Sequence, residues 1–233
     1  MAIADSWEPR LDPTAISGAG SAGTDHATSP TLDRAQWNAR YALHDFIWTT
    51  NANRFVVVET GHLAPGIALD LAAGEGRNAV WLAEQGWNVR AVDFSDVALR
   101  KAARLADAHS VSARIDFVDA DLHTYVPPSR QFDLVLLAYL QLPRQALVPV
   151  IQRAADAVAP GGTFLLVGHD AANLEHGFGG PRHPGLLYTA EQVVSALGDA
   201  LDIEKARRVY RPTRTPDGTQ VAVDCLVRAH RPL

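Results

Sequence analysis

The sequence predicts an α/β fold: a doubly wound, mostly parallel sheet with helices on both faces and an antiparallel strand pair at one edge. Short apolar runs typical of buried strands alternate with segments of helical periodicity along most of the chain. The last two strand-like segments are instead joined by the Pro- and Gly-containing turn 215–218, which favours an antiparallel pair. The length of 233 residues fits one domain of this class.

The N-terminal part is expected to contain a tail and two helices. Residues 1–31 are predicted to form a flexible tail because most of them, from residue 11 on, are small or polar. A single domain, 32–233, follows and begins with helices within 33–60. Asp33 is a favourable helix N-cap, and Gly61 ends the second helix.

Seven strands and four further helices are predicted in the rest of the chain. The predicted strands are 67–71, 89–92, 115–118, 132–138, 163–167, 202–210 and 220–228. The predicted helices are 78–85, 96–108, 145–158 and 191–197. Asp96 is expected to cap the second of these helices.

Composition and charge exclude several classes of function. The formal net charge is −5, whereas a nucleic-acid partner would favour a basic surface, so none is expected. Cys225 is the one cysteine, which rules out an intramolecular disulfide and a cysteine cluster for metal, and we predict no metal site. No apolar stretch has the length of a membrane span and no secretory signal is evident, so we expect a cytoplasmic protein without a membrane partner. We expect a monomer or a homodimer.

A glycine-containing turn follows the first predicted strand. The segment DLAAGEG, residues 70–76, joins this strand to a helix. Gly74 and Gly76 let the backbone approach a ligand and adopt positive φ without a Cβ clash. A purely structural turn between strand and helix explains the same pattern about as well.

Acidic residues follow the ends of three predicted parallel strands. They are Asp70, Asp93 and Asp121, and the carboxyl ends of such strands lie along one edge of the sheet, where ligands bind. Asp93 suits the two hydroxyls of a ribose, although it could instead cap the next helix. Asp121 suits the exocyclic amine of adenine, which only donates hydrogen bonds, although Asp119 and Asp121 could also be solvated loop residues.

Five segments resemble the class I S-adenosylmethionine-dependent methyltransferases. They are ALDLAAGEGRNAVWLAEQGWNVRAVDFS, FVDADL, FDLVLLAYLQL, APGGTFLLVGHD and the N-terminal WNARYALHDFIW. The last of these is similar to the small-molecule branch, in which tellurite-resistance and thiopurine methyltransferases are relatives. The resemblance extends over about residues 33–229, and GRNAVWLAEQGW with VDFS is its more specific part.

The resemblance implies a seven-stranded Rossmann-like sheet whose last-but-one position is antiparallel. It further implies S-adenosylmethionine as cofactor, a small-molecule methyl acceptor and S-adenosylhomocysteine as product. The sequence departs from the family at Ala72, where glycine is usual. An alanine fits there if its φ stays negative, and we expect it to tighten the pocket and lower cofactor affinity.

On the methionine side of the cofactor, the resemblance implies contacts from two regions. Asp70, Gly74 and Gly76 would line the methionine and the ribose. Arg40, together with Tyr41, would meet the methionine carboxylate, which suits the fork of a guanidinium. A surface salt bridge is the alternative role for Arg40.

On the adenosine side, the resemblance implies that Asp93 binds the ribose hydroxyls. Asp121 would hold the adenine ring between Phe94 and Leu122. Ala138 would offer its backbone carbonyl to the cofactor's amino group.

The acceptor is predicted to be small: an oxyanion, a thiol or a metabolite hydroxyl. Methyl transfer is an in-line displacement, so a base is needed only if the nucleophile carries a proton. The candidates for this base are His169 and Asp170 after the fifth strand, and Tyr139 after the fourth. The loop histidines His176 and His183 are further candidates, and a non-catalytic role is the alternative for each of the five.

Two other functions fit parts of the pattern. Residues 74–79 match the relaxed G-x-G-x-x-A signature of NAD-dependent oxidoreductases, but Asp70 stands where such enzymes usually continue an apolar strand. A non-enzymatic cofactor-binding module on the same fold is the second alternative, since a fold does not determine a function.

Overall fold

The structure is a computed structural model that describes residues 31–216 and 218–233. The predicted tail lies outside the described residues except for Thr31. The strands are β1 (Ile67–Leu71), β2 (Asn88–Asp93), β3 (Ile115–Asp119), β4 (Phe132–Ala138), β5 (Val158–His169), β6 (Asp202–Thr215) and β7 (Gly218–His230). The α-helices are α1 (Arg34–Ala42), α2 (Arg54–Thr60), α3 (Arg77–Glu84), α4 (Asp96–Ala108), α5 (Arg144–Ala157), α6 (Asn173–His176) and α7 (Ala190–Leu197).

The seven strands form one mixed sheet in the order β3-β2-β1-β4-β5-β7-β6. β1 to β5 are parallel, whereas β7 runs antiparallel to both β5 and β6. The predicted fold class, a Rossmann-like sheet with one antiparallel strand, is therefore confirmed. The chain moves outward from β1 to β3 and then returns to β4 on the other side of β1, so the strand order reverses between β1 and β4. Ligands of open α/β sheets bind at such a point, outside the carboxyl ends of the strands.

The apolar core covers both faces of the sheet. β4 shows this most clearly, because Leu134 and Leu136 belong to one buried cluster and Val135 and Leu137 to the other. The first cluster includes residues of α2, α3 and α4, and the second includes residues of α5 and α7. This arrangement explains why β4 reads as an almost continuous apolar run. Over the described residues, none of the helices is long and apolar enough to cross a membrane.

The predicted elements are all present, and the largest differences are in the last three strands. β5 begins at Val158 and not at residue 163, because Phe132 pairs with Val158. β6 and β7 extend to Thr215 and His230, beyond the predicted ends, because their ladder runs from the pair Asp202↔His230 to the pair Thr215↔Gly218. Pro212 lies within β6 and does not interrupt it, since an edge strand has no partner on its outer side. The short helix α6 was not predicted, and its four residues offer too little periodicity to recognise.

Helix caps were predicted with mixed success. Asp33 is the N-cap of α1 and forms a capping box with Gln36. The prediction that Asp96 caps α4 is wrong: Ser95 is the N-cap, and its hydroxyl accepts the backbone N–H of Ala98 at 3.1 Å. Ser95 has the extended backbone that an N-cap requires, whereas Asp96 is already the first helical residue.

The condition under which an alanine fits at position 72 without strain, a negative φ, is not met. The φ of Ala72 is +61°, and Gly74 and Gly76 have φ of +55° and +81°. The turn from β1 to α3 thus enters the left-handed region three times within five residues. Only positions 74 and 76 carry glycine, the residue that adopts this region without a steric cost.

Replacing Ala72 by glycine is expected to raise the free energy of unfolding by about 0.5–1 kcal/mol. The left-handed strain of alanine, about 1–2 kcal/mol, exceeds the entropy that glycine adds to the unfolded chain, about 0.4–1 kcal/mol. Urea unfolding of Ala72→Gly measures the change, and Ala73→Gly is the matched control because Ala73 lies outside the left-handed region. A loss of stability in Ala72→Gly equal to that in the control would contradict this explanation.

Candidate functional site

Asp93, at the end of β2, fixes the turn that follows β1. Its carboxylate oxygens accept the backbone N–H groups of Gly74 and Ser95, each at 2.8 Å. Burial raises the pKa of Asp93, and these two N–H groups act in the opposite direction. Asp93 does not cap α4, since Ser95 does. Each carboxylate oxygen has a second lone pair, so the group can still accept from hydroxyls of a ligand.

Asp70 is a buried carboxylate whose oxygens have no hydrogen-bond partner among the described residues. It lies one residue before the end of β1, is 1% exposed, and neither of its oxygens receives a hydrogen bond. Burial, together with the charge of Asp93, raises its pKa to about 7, while Arg77 acts weakly in the opposite direction. An unpaired buried acid is unfavourable, so Asp70 fits a cationic group of a ligand, such as the ammonium of an amino acid.

The two glycines of the turn serve different purposes. A Cβ on Gly74 would stand 3.0 Å from the hydroxyl oxygen of Tyr41, at the inner side of the site. A Cβ on Gly76 would stand 2.6 Å from the Cβ of Ala102, so this glycine is needed for the contact between α3 and α4. Gly74 therefore leaves room beside Tyr41, whereas Gly76 is explained by packing.

Glu75, between these glycines, forms a buried ion pair that the sequence analysis missed. Lys101 Nζ lies 3.0 Å from Glu75 Oε1, and the two side chains are 7% and 4% exposed. Glu75 also accepts the backbone N–H groups of Ile47 and Trp48, while Lys101 donates to the carbonyls of Tyr41 and His44. The pair thus fixes the segment 41–48 over the glycine turn. An acid between two loop glycines was the signal that could have revealed it.

Arg40 lies between two indole rings. Its guanidinium carbon is 5.2 Å from the ring centre of Trp37 and 5.5 Å from that of Trp48. Within residues 31–216 and 218–233, no carboxylate pairs with Arg40, so the surface salt bridge is not observed there. Tyr41 is buried beside it. This guanidinium is therefore available for an anionic group of a ligand.

The residues predicted to hold adenine follow β2, β3 and β4. Asp121 is half-buried, and one of its oxygens accepts the backbone N–H of His123 at 2.9 Å. Leu122 is buried in the core cluster on one face of the sheet, whereas Phe94 and Ala138 are half-buried. Asp119, the alternative acid, is exposed and pairs with Arg34 at 2.9 Å.

Tyr139, directly after β4, is the centre of a polar cluster. Its hydroxyl donates to Asp224 Oδ2 at 2.8 Å and accepts from Arg211 Nε at 3.0 Å and Asn53 Nδ2 at 3.2 Å. His169 Nδ1 lies 3.3 Å from Asp224 Oδ1, and the rings of His169 and Tyr139 are 4.9 Å apart. Asp224 was missed by the sequence analysis, although it is the one acid in the apolar stretch VAVDCLV of β7.

The electrostatics of this cluster distinguish the candidate bases. Burial and the neighbouring Asp224 raise the pKa of Tyr139, so its hydroxyl stays protonated at neutral pH and acts as a donor. Burial alone would raise the pKa of Asp224, but His169 and Arg211 lower it, so this carboxylate is ionised. Of the two candidate bases in this cluster, His169 and Tyr139, His169 is the better placed to accept a proton, because an ionised carboxylate lies beside its Nδ1.

Asp170 does not join this cluster. One of its oxygens accepts from the backbone N–H of Ala172 at 2.9 Å and from Arg208 Nε at 3.0 Å. Arg208 and Arg211 are three residues apart on β6, so their side chains leave the strand on opposite faces. Asp170 and Asp224 are therefore bound to arginines on opposite sides of the sheet.

The two loop histidines, His176 and His183, also lie outside the cluster around Tyr139. His176 is exposed, and the ring of His183 accepts the backbone N–H of Gly185 at 3.1 Å. In the part of the chain that the structure describes, no three potential metal-binding side chains come together.

Comparisons with known proteins found a family model and solved structures to which the chain is similar. Residues 68–162 match the model of a family described as a methyltransferase domain. None of the curated proteins compared with the chain matches it.

Solved structures of methyltransferases share the fold. The N-methyltransferase NodS from Bradyrhizobium japonicum WM9, in complex with S-adenosyl-L-homocysteine, is 20% identical, with a TM-score of 0.65 over 86% of this chain and 100% of that one. TehB from Haemophilus influenzae is 15% identical, with a TM-score of 0.63 over 85% of this chain and 66% of that one. A SAM-dependent methyltransferase from Methanosarcina mazei is 15% identical, with a TM-score of 0.60 over 78% and 100%. Residues 68–162 thus resemble a methyltransferase domain, and most of the chain has the fold of these solved structures.

Proposed function

We propose that this protein binds S-adenosylmethionine along the carboxyl edge of the sheet and transfers its methyl group to a small acceptor. The observation that carries the proposal is Asp70, which lies beside the point where the strand order reverses. Its buried carboxylate has no hydrogen-bond partner in the part of the chain that the structure describes. The cofactor has an ammonium for this acid, a carboxylate for a guanidinium and a ribose for Asp93.

Each end of the cofactor has partners of suitable chemistry. Arg40 binds the carboxylate and Asp70 the ammonium, while Gly74 leaves space beside Tyr41. Asp93 accepts from the ribose hydroxyls through its remaining lone pairs. The adenine end is formed by Phe94, Asp121, Leu122 and Ala138.

The chain's own residues orient the reactants and exclude water. When bound, S-adenosylmethionine supplies a methyl group that is already activated by a positively charged sulfur. The segment 41–48, fixed by Glu75 and Lys101, covers the glycine turn and limits access of water. If the acceptor nucleophile carries a proton, His169 takes it, and Asp224 stabilises the resulting imidazolium.

A small acceptor is favoured by the aromatic side chains near the site and by the net charge of −5, which disfavours DNA or RNA. High turnover on duplex DNA or RNA would contradict this part of the proposal.

Calorimetric titration separates the proposal from its alternatives. S-adenosylhomocysteine is expected to bind one to one and NAD not to bind, whereas an oxidoreductase would show the reverse. Asp93→Asn is expected to weaken the binding of S-adenosylhomocysteine at least about tenfold, because it removes charge-assisted hydrogen bonds worth about 1.5–3 kcal/mol. Asp119→Asn is the control, since Asp119 ends the next strand but is exposed. Unchanged affinity in Asp93→Asn would refute the assigned ribose contact.

A further inference from the structure

Arg77, the first residue of α3, has a guanidinium at the carboxyl edge of the sheet. It directly follows the turn after β1, and Tyr139 directly follows β4, the neighbour of β1, so both residues lie at this edge. The side chain of Arg77 is half-buried, and Tyr139, Arg211, Asp70 and Tyr41 act on it electrostatically. Among the described residues, no carboxylate forms a hydrogen bond or an ion pair with it. Asp70 is near enough to influence Arg77 electrostatically, but its oxygens receive no hydrogen bond from it.

Three other buried or largely buried cations near the sheet have a carboxylate partner. Lys101 has Glu75 at 3.0 Å, Arg211 has Asp224 at 2.7 Å, and Arg228 has Glu204 at 2.7 Å. A cation that is removed from water without a partner is unfavourable. The contrast therefore indicates that the partner of Arg77 comes from outside the described residues, and a bound ligand is the partner that fits its place at the site.

The bound cofactor leaves this guanidinium unmatched. In the proposed function, the ammonium occupies Asp70 and the carboxylate occupies Arg40, which lies between Trp37 and Trp48. The cofactor also adds a positive sulfur to the site. The region beside Tyr139 then holds more positive than negative charge, which favours an anionic molecule.

Resting on the proposed function, we propose that the methyl acceptor is a small organic anion whose carboxylate, or a comparable planar oxyanion, is bound by Arg77 beside Tyr139. The planar fork of a guanidinium presents two parallel N–H groups to such an anion. Tyr139 forms a rigid wall, because its hydroxyl is held by Asp224, Arg211 and Asn53. Its backbone φ of +60° is unusual for a tyrosine, and strain of this kind is frequent at ligand-binding positions.

The test uses matched probes that differ in charge and hardly in shape. Acetate and benzoate are titrated against acetamide and benzamide on the full-length protein saturated with S-adenosylhomocysteine, with ligand-observed NMR as readout. At least one carboxylate is expected to bind about tenfold or more tightly than its amide. Arg77→Met is expected to abolish this preference and leave S-adenosylhomocysteine binding within about threefold. Arg77→Lys, which keeps the charge but loses the fork, is expected to show a reduced preference.

Arg104→Met, an exposed arginine of α4, is the control and should keep the preference. The inference is overturned if neither carboxylate binds better than its amide, or if the preference persists in Arg77→Met. It is also overturned if Arg77→Met loses S-adenosylhomocysteine binding, since Arg77 would then belong to the cofactor site or to the fold. Failure of the wild-type protein to bind S-adenosylhomocysteine would instead refute the proposed function on which the inference rests.

Discussion

Replacement of Asp70 by asparagine is expected to stabilise the protein at pH 8 and to weaken the binding of S-adenosylhomocysteine about 100-fold. The affinity falls because a charge-assisted hydrogen bond worth up to about 3 kcal/mol is lost. The stability rises because the variant buries no charge. Folding raises the pKa of Asp70 from 3.8 to about 7, so the folded state holds this proton more tightly than the unfolded state. The wild-type protein therefore loses stability as pH rises from about 4 to 7.

The gain in Asp70→Asn is expected to be about 2 kcal/mol or more at pH 8. Each unit by which folding raises the pKa of Asp70 corresponds to about 1.4 kcal/mol of stability lost at pH 8. The asparagine avoids this loss, but its own unpaired amide offsets part of the gain in stability. Urea unfolding and calorimetry measure the two effects. Asp116→Asn, an exposed acid on β3, is the control and should change neither. Equal stability of Asp70→Asn and the wild type at pH 8 would show that Asp70 is not a strained, unpaired acid.

Replacement of Lys101 by methionine is expected to lower the free energy of unfolding by about 3–5 kcal/mol. The substitution leaves Glu75 as a buried charge without its cation, and such a loss is far more costly than the loss of an exposed pair. It also removes the donor to the carbonyls of Tyr41 and His44, so binding of S-adenosylhomocysteine should weaken. Urea unfolding at pH 7 measures the first effect.

Two further variants make this prediction specific. Arg100→Met, at the neighbouring position, breaks an exposed pair with Asp96 and should leave stability almost unchanged. The double variant Glu75→Gln, Lys101→Met removes both charges and should recover part of the lost stability. If Lys101→Met resembled Arg100→Met, the buried pair would not hold the segment 41–48.

The fold could be predicted from the sequence because periodicity and turn residues mark most elements directly. The strands 67–71 and 132–138 were predicted with the bounds that the structure has. The ends of β6 and β7 were not, since ladder hydrogen bonds between two strands leave no trace in the composition of either. The positive φ of Ala72 could not be predicted for a related reason, because the turn imposes this conformation on its residue.

The candidate site was only partly predictable. Asp70, Asp93 and Asp121 were located because each lies at or just after the end of a strand, and strand ends are visible in sequence. Lys101 and Asp224 were missed, since their partners Glu75 and Tyr139 are 26 and 85 residues distant in the chain. His169 contacts Asp224 on one side of the sheet, and Asp170 contacts Arg208 on the other. This separation likewise depends on the pairing of β7 with β5 and β6.

A crystal structure of the complex with S-adenosylhomocysteine tests the central claim most directly. The account predicts the ligand's ammonium within hydrogen-bond distance of Asp70 and both ribose hydroxyls on Asp93, at the carboxyl ends of β1 and β2. A ligand bound elsewhere, with the carboxylate of Asp70 still unpaired, would contradict it.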